Sequence, residues 1–247
     1  VPVGKETKYK TLDGRYVERI KFDSMPEATK WVNEYKNVTN FEYFGNTRHQ
    51  YPFIADEFKG KIDWDMNQIK LLTIDIECES ENGFPSPEKA DQPLICITVK
   101  DHTTKRIIVF GMGNFVNDRD DVQYINCVTE TGLVETFTKF WVEYNPDIIT
   151  GWNVKFFDIP YLMNRFRYLM GDEWLNQFSP WGVVEQKSAS VLFASREQQV
   201  WNIMGVDTLD YLDLYRKFTF VRRESYKLDY IGEVELGQNK LDNPYDT

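Results

Sequence analysis

The chain has 247 residues, a length that accommodates one or two domains of about 150 residues. Apolar residues make up 42% and aromatic residues 15%, which excludes a disordered or collagen-like chain, and no apolar run reaches the roughly 18 residues of a membrane span. The net charge of −10 argues against a protein that coats duplex DNA through a basic face. Three cysteines and two histidines are too few for a zinc-finger array or a disulfide framework and indicate a reduced, cytoplasmic protein.

Residues 1–68 are polar, charged and rich in aromatic side chains, and they contain one clear helix signal. Ser24 and Glu27 have the spacing of a capping box, and Pro26 falls in the first helical turn. Apolar side chains then recur on one helical face, at Ala28, Trp31, Val32 and Tyr35. Because one helix provides little core, we expect this region to be a small domain that depends on the rest of the protein.

From residue 69 onward, apolar β-branched runs predict strands and amphipathic runs predict helices. The predicted order is three strands, a helix, a strand and a helix, at residues 71–77, 94–99, 106–110, 133–144, 148–150 and 159–170. The polar turn 101–104 predicts that the second and third strands form a hairpin. A second hairpin is predicted over 183–204 and a helix over 210–220. This order is typical of an α/β fold with a mixed sheet.

Asp75 and Glu77 stand at the end of the strand LLTIDIE, which covers residues 71–77. Side chains two apart on a strand point to the same face, so both carboxylates are expected opposite the core-facing Ile74 and Ile76. Carboxylates in this arrangement are typical ligands of the hard divalent cations that catalyse two-metal phosphoryl transfer. Taken alone, this spacing fits two solvated acids better than a metal site.

Asp158 follows a second apolar strand, after the Gly-Trp-Asn turn that begins at Gly151, and it opens a predicted helix. The more common role of an aspartate at this position is an N-cap. The alternative is a third carboxylate delivered to the same sheet edge as Asp75 and Glu77.

Taken together, Asp75-x-Glu77 and Asn153-x-x-x-Phe157-Asp158 resemble the first two exonuclease motifs of family B DNA polymerases. The chain is similar in particular to the polymerases of T-even-type bacteriophages. Further matching stretches are residues 82–85, 207–215 and 225–231. The resemblance covers nearly the whole chain and is weaker before about residue 60.

The resemblance implies an RNase H-like 3′→5′ proofreading exonuclease domain over residues 69–247, truncated at its C-terminal end, after a partial N-terminal domain over 1–68. In the family, four acids hold two divalent cations, Mg²⁺ or Mn²⁺. One ion activates water and the other stabilises the leaving 3′ oxygen. By motif position, Asp75, Glu77 and Asp158 are three of these acids and so are expected to be both catalytic and metal-binding. The expected partner is the 3′ end of single-stranded DNA.

The same resemblance implies that three further residues contact the DNA. Phe84 occupies the position at which related polymerases pack an aromatic ring on bases near the 3′ end, and its other interpretation is a loop anchor beside Pro85. Asn153 orients the substrate or holds its turn. Lys240 matches a lysine near the exonuclease site of phage relatives, and its other interpretation is a solvated surface charge. The hairpin over 183–204 is expected to help separate the primer strand.

The third family motif, Tyr-x-x-x-Asp, supplies the fourth acid and does not follow Lys240 in this chain. The same spacing occurs at Tyr168 and Asp172, where we interpret it as chance. We therefore expect the chain alone to be an impaired exonuclease, with a separate C-terminal polymerase polypeptide as a second partner. The alternative is a non-catalytic fragment that binds single-stranded DNA or a polymerase subunit, through exposed aromatics and through Arg222 and Arg223. Arg222 and Arg223 also fit ordinary surface charge. The expected location is the host cytoplasm, with no membrane partner.

Overall fold

The computed structural model describes residues 1–45, 50–81, 83–190 and 197–241. It divides into two compact units, Val1–Trp64 and Asp65–Thr247, close to the change in sequence pattern at residue 69. No helix in the described ranges is long and apolar enough to cross a lipid bilayer.

The first unit pairs strands β1 (Tyr9–Lys10) and β2 (Tyr16–Val17) antiparallel and carries helices α1 (Met25–Tyr35) and α2 (Gln50–Glu57). Helix α1 confirms the helix predicted from the capping box, since the Ser24 hydroxyl accepts a hydrogen bond from the backbone N–H of Glu27. The ring of Trp31 lies at the centre of an aromatic cluster with Phe22, Tyr35, Phe41 and Tyr43. Even so, none of the residues of this unit whose burial is described is fully buried.

The second unit is built on a six-stranded sheet in the order β10-β7-β3-β4-β5-β6. The strands, in chain order, are β3 (Leu71–Cys78), β4 (Leu94–Asp101), β5 (Ile107–Gly111), β6 (Val122–Asn126), β7 (Ile148–Gly151) and β10 (Asp207–Asp210). β3, β4 and β5 pair antiparallel, whereas β10 with β7, β7 with β3 and β5 with β6 pair parallel. The mixed sheet confirms the predicted α/β class.

Four helices accompany the sheet, namely α3 (Glu130–Tyr144), α4 (Asp158–Met170), α5 (Tyr211–Phe218) and α6 (Leu228–Leu236). α3 and α4 place their apolar stripes on the sheet, and a 3₁₀ segment, Asp172–Phe178, packs against both. The core so formed includes Leu72, Ile74, Ile97, Phe137 and Phe166. Burial of these side chains is the main stabilising contribution of the fold.

The predicted strands and helices of this unit are confirmed, and the predicted hairpin over 183–204 is formed by β8 (Val184–Ser190) and β9 (Glu197–Ile203). Residues 191–196 of that hairpin lie outside the described residues. The sequence does not predict β6, β10 or α6. β10 is only four residues long and half acidic, so it lacks the apolar run on which a strand prediction rests. The predicted helix over 210–220 is confirmed, although it begins at Tyr211.

Candidate active site

β3 carries the first two candidate acids on the face opposite the core. Leu72, Ile74 and Ile76 are buried, whereas Asp75 and Glu77 between and beyond them are exposed. This alternation confirms the predicted orientation of the strand. Because β3 is central in the sheet, both carboxylates stand on a rigid, hydrogen-bonded base.

Asp158 reaches the same place from the start of α4. Its side chain is 5% exposed, and its Oδ1 accepts a hydrogen bond from the backbone N–H of Ile76 at 3.2 Å. The N-cap residue of α4 is Phe157, and no side chain caps the helix. The interpretation of Asp158 as an N-cap is therefore wrong, because its carboxylate is turned to β3 instead of to its own helix.

The electrostatics of the three acids show that they lie close together. Burial, together with the charge of Asp75, raises the pKa of Asp158 to about 7. Although Asp75 and Glu77 are exposed, partial desolvation by the surrounding protein raises the pKa of each, and the charge of Asp75 also raises the pKa of Glu77. None of the three forms an ion pair with Lys or Arg in the described part of the chain. The site therefore holds negative charge that the neighbouring protein compensates poorly.

Lys240 is a basic residue whose charge acts on this site. It lowers the pKa of both Asp75 and Glu77, although burial outweighs it in each case. The chain reverses after α6 at Gly237, which takes the left-handed conformation (φ +65°). The backbone N–H of Lys240 then donates to Oδ1 of Asp229 at 2.7 Å, which fixes the chain at this point.

The turn before Asp158 is held by its own backbone. Asn153 adopts a left-handed conformation (φ +64°), and its carbonyl accepts hydrogen bonds from the N–H groups of Phe156 and Phe157. A Cβ at Gly151 would lie 2.7 Å from the carbonyl oxygen of Ile74, so only glycine allows this turn to approach β3. These contacts show what the Asn153 backbone does, and a role for its side chain at DNA stays a prediction.

Asp210 is a functional candidate within the matching stretch 207–215, and the sequence alone assigns it no role at the site. It is buried at the end of β10 and accepts hydrogen bonds from the backbone N–H groups of Asn153, Lys155 and Leu212. The sequence carries one signal for it, since an Asp directly before an amphipathic run is a common N-cap.

Phe84 and Pro85 behave differently in the loop after β3. Pro85 is buried, whereas Phe84 is 86% exposed and contacts the ring of Phe157 at a centroid distance of 5.5 Å. The loop is thus anchored by Pro85, and an apolar ring is left open to solvent beside the start of α4. Asn82, in the same matching stretch, lies outside the described residues.

The remaining motif residues lie away from this arrangement or are engaged within the protein. Tyr168 is exposed on α4, and Asp172 pairs with Arg167. Arg223 pairs with Glu235 and donates to the hydroxyl of Tyr215, whereas Arg222 is exposed. These contacts give Arg223 a structural role.

The donor chemistry of Asp75, Glu77 and Asp158 fits a hard divalent cation, because all three offer carboxylate oxygens and their charges are poorly compensated. Their side chains are not yet arranged as a coordination set. Within the described residues, no three or more His, Cys, Asp or Glu side chains are grouped so that they could hold a metal ion.

The chain matches the family DNA polymerase family B, exonuclease domain, over residues 26–231. It belongs to this family. Its mixed sheet with flanking helices is accordingly the RNase H-like fold of an exonuclease domain.

Phage polymerases are similar to almost the whole chain. It is 31% identical to the DNA-directed DNA polymerase of Escherichia phage RB69, over 97% of this chain and 29% of that protein. It is 30% identical to the DNA-directed DNA polymerase of Enterobacteria phage T4, over 98% and 29% respectively. The DNA polymerase delta catalytic subunit of Candida albicans is 31% identical over 72% of this chain and 18% of its own length. The chain thus spans less than a third of the polymerases that it matches.

Proposed function

We propose that this domain removes nucleotides from the 3′ end of single-stranded DNA, as the proofreading exonuclease of a phage replicative DNA polymerase. The observation that supports this most is the convergence of Asp75, Glu77 and Asp158. Two carboxylates of β3 and one from α4 come together beside β3. The charge of Asp75 raises the pKa of both Glu77 and Asp158, and none of the three acids has an ion-pair partner among the described residues.

Two divalent cations, Mg²⁺ or Mn²⁺, would supply the activated water and stabilise the leaving 3′ oxygen when bound. Asp75, Glu77 and Asp158 would hold them, after their side chains turn toward a common centre. Asp158 must lose its proton to do so, and its pKa of about 7 makes ligation easier above neutral pH. The buried hydrogen bond from Ile76 keeps its carboxylate beside β3 throughout.

Side chains around the three acids have the chemistry needed to bind single-stranded DNA. The ring of Phe84 offers a face on which a base can stack. The ammonium of Lys240 lies close enough to Asp75 and Glu77 to act on their charges, and it would attract a backbone phosphate. Asn153, at the turn that leads to Asp158, would orient the terminal nucleotide.

We infer that a polypeptide of these 247 residues alone hydrolyses DNA slowly. It supplies three of the four acids that the resemblance implies, so metal binding is weakened at one site at least. A second polypeptide that contains the third motif would complete the site and raise the rate.

The test is degradation of a 5′-labelled single-stranded oligonucleotide in Mg²⁺ and in Mn²⁺. We expect metal-dependent shortening from the 3′ end that D75N/E77Q abolishes, and a higher rate when a polypeptide with the third motif is added. The exposed loop variant D118N/D120N is the matched control, since it also neutralises two acids two residues apart. DNA binding without shortening, with or without the added polypeptide, would favour the non-catalytic alternative.

A further inference from the structure

Asp210 connects the turn 151–157 with the start of α5 through one carboxylate. Its Oδ1 accepts the backbone N–H of Asn153 at 3.1 Å and that of Leu212 at 2.9 Å, and its Oδ2 accepts the backbone N–H of Lys155 at 3.0 Å. The carboxylate therefore caps α5 and also accepts hydrogen bonds from the backbone of the turn that leads into α4. Because Asp210 is only 4% exposed, water cannot easily take the place of these hydrogen bonds, and losing them would cost free energy.

The position of Asp210 in the sheet makes this contact possible. β10 runs parallel to β7, and Asp210 lies opposite Gly151, the first residue of the turn. The carboxyl ends of the two strands thus lie side by side. From there, the Asp210 side chain extends under the turn and accepts the two N–H groups that the left-handed Asn153 turns toward it.

We propose that Asp210 is a positioning residue for the acidic site, because it fixes the turn 151–157 and thereby the place from which Asp158 reaches β3. This inference rests on the proposed function. Asp210 itself has no described hydrogen bond or ion pair with Asp75, Glu77 or Asp158. Its hydrogen bonds act on the site through the backbone of Asn153 and Lys155, and its negative charge also raises the pKa of Asp158.

Two substitutions distinguish the capping of α5 from the hydrogen bonds that Asp210 accepts from the turn. In Asp210→Ser, the hydroxyl still caps α5, because Ser is as good an N-cap as Asp. It is too short to hold Asn153 and Lys155 together. In Asp210→Asn, the amide oxygen can replace Oδ1 and keep two bonds, whereas the amide nitrogen faces the N–H of Lys155 and loses the third.

Asp213→Asn is the matched control. Asp213 lies on α5 and touches the same turn, but through the side chain of Lys155, with its Oδ2 3.9 Å from Nζ. It offers no acceptor to the turn backbone among the described contacts. It should therefore leave the position of Asp158 unchanged.

The experiment measures amide hydrogen exchange at residues 153 and 155 without metal, Mn²⁺ affinity by calorimetry, and kcat and KM for oligonucleotide cleavage. For Asp210→Ser we expect faster exchange at both amides, Mn²⁺ affinity lower by about 10- to 100-fold, and a loss in kcat with little change in KM. Asp210→Asn should speed exchange mainly at Lys155 and lose less affinity. Asp213→Asn should match the wild type in all three.

Faster exchange in Asp210→Ser with unchanged Mn²⁺ affinity and kcat would overturn the proposal, because Asp210 would then be structural only. The proposed function would stand in that case. If wild-type Mn²⁺ binding does not depend on Asp75 and Glu77, the proposed function fails and this inference fails with it. The D75N/E77Q titration distinguishes the two failures.

Discussion

Asp158 and Ile76 are separated by 82 residues in the chain, yet Oδ1 of Asp158 accepts the backbone N–H of Ile76 at 3.2 Å. Ile76 lies between Asp75 and Glu77, so this bond places the first residue of α4 directly beside the two acids of β3. It also explains why Asp158 leaves the N-terminus of its own helix uncapped. The bond connects the two sequence motifs in space.

The raised pKa of Asp158 predicts a specific pH dependence of stability. Because its pKa is about 7 in the folded protein against an ordinary value of 3.8, the folded state binds the proton more tightly than the unfolded state. The resulting stabilisation is complete below pH 3.8 and is lost as the pH rises toward 7. In a metal-free buffer, Asp158→Asn should be more stable than the wild type at pH 8 by up to about 4 kcal/mol, and nearly equal to it at pH 4.

Urea unfolding across this pH range measures the effect, with exposed Asp118→Asn as the control. A constant difference between Asp158→Asn and the wild type at every pH would contradict the assignment of this pKa.

Removal of the Lys240 charge should strengthen metal binding and weaken catalysis. The ammonium lowers the pKa of Asp75 and Glu77, and the same charge repels a dication. We expect Lys240→Met to raise Mn²⁺ affinity without DNA by about three- to tenfold, the effect of one nearby charge in a partly solvated site. Lys227→Met, at an exposed position before α6, should change nothing. Calorimetry at low salt checks this, and equal affinity in both variants would place Lys240 outside the site.

The exposed ring of Phe84 should contribute to DNA binding and little to stability. Phe84→Ala is expected to weaken binding of a single-stranded oligonucleotide by about 1–3 kcal/mol, the usual contribution of one stacked base. Phe115 is a matched control, since it is also exposed and contacts one aromatic ring, that of Tyr124. Fluorescence anisotropy with labelled DNA compares the two variants. A similar small effect of both would show that Phe84 does not stack on a base.

The pair between Arg165 and Glu130 should be essential to the fold. Arg165 is 5% exposed, donates two hydrogen bonds to the Glu130 carboxylate and a third to the carbonyl of Ala90. Arg165→Met leaves the partly buried Glu130 charge without its cationic partner, so we expect a loss of about 3–5 kcal/mol in the free energy of unfolding. Lys139→Met, which breaks an exposed pair with Glu143, should be near neutral. Urea unfolding measures both variants, and comparable losses in their free energy of unfolding would contradict this prediction.

The sequence predicts most of the sheet and α1, α3 and α4, because their apolar periodicities are regular over at least a few residues. The two faces of β3 follow from alternation alone, which places Asp75 and Glu77 together. β10 escapes prediction because it is stabilised by pairing with β7 and not by its own composition. The hydrogen-bond partner of Asp158 is not predicted either. An Asp at a helix start is usually a cap, and only the folded chain shows the N–H of Ile76 beside it.

The same limit applies to Asp210. Its local pattern indicates the cap of α5, which the structure contains, whereas its bonds to Asn153 and Lys155 depend on two strands meeting in parallel. Contacts over such separations in the chain are set by tertiary structure, and a single sequence does not display them.

The central claim is that Asp75, Glu77 and Asp158 together bind divalent metal, and Mn²⁺ titration followed by electron paramagnetic resonance tests it most directly. We predict that the free Mn²⁺ signal falls as the wild-type protein is added at pH 8. The decrease should be largely absent in D75N/E77Q and should persist in D118N/D120N. Equal loss of the signal with all three proteins, or no loss with the wild type, would contradict a metal site at these acids.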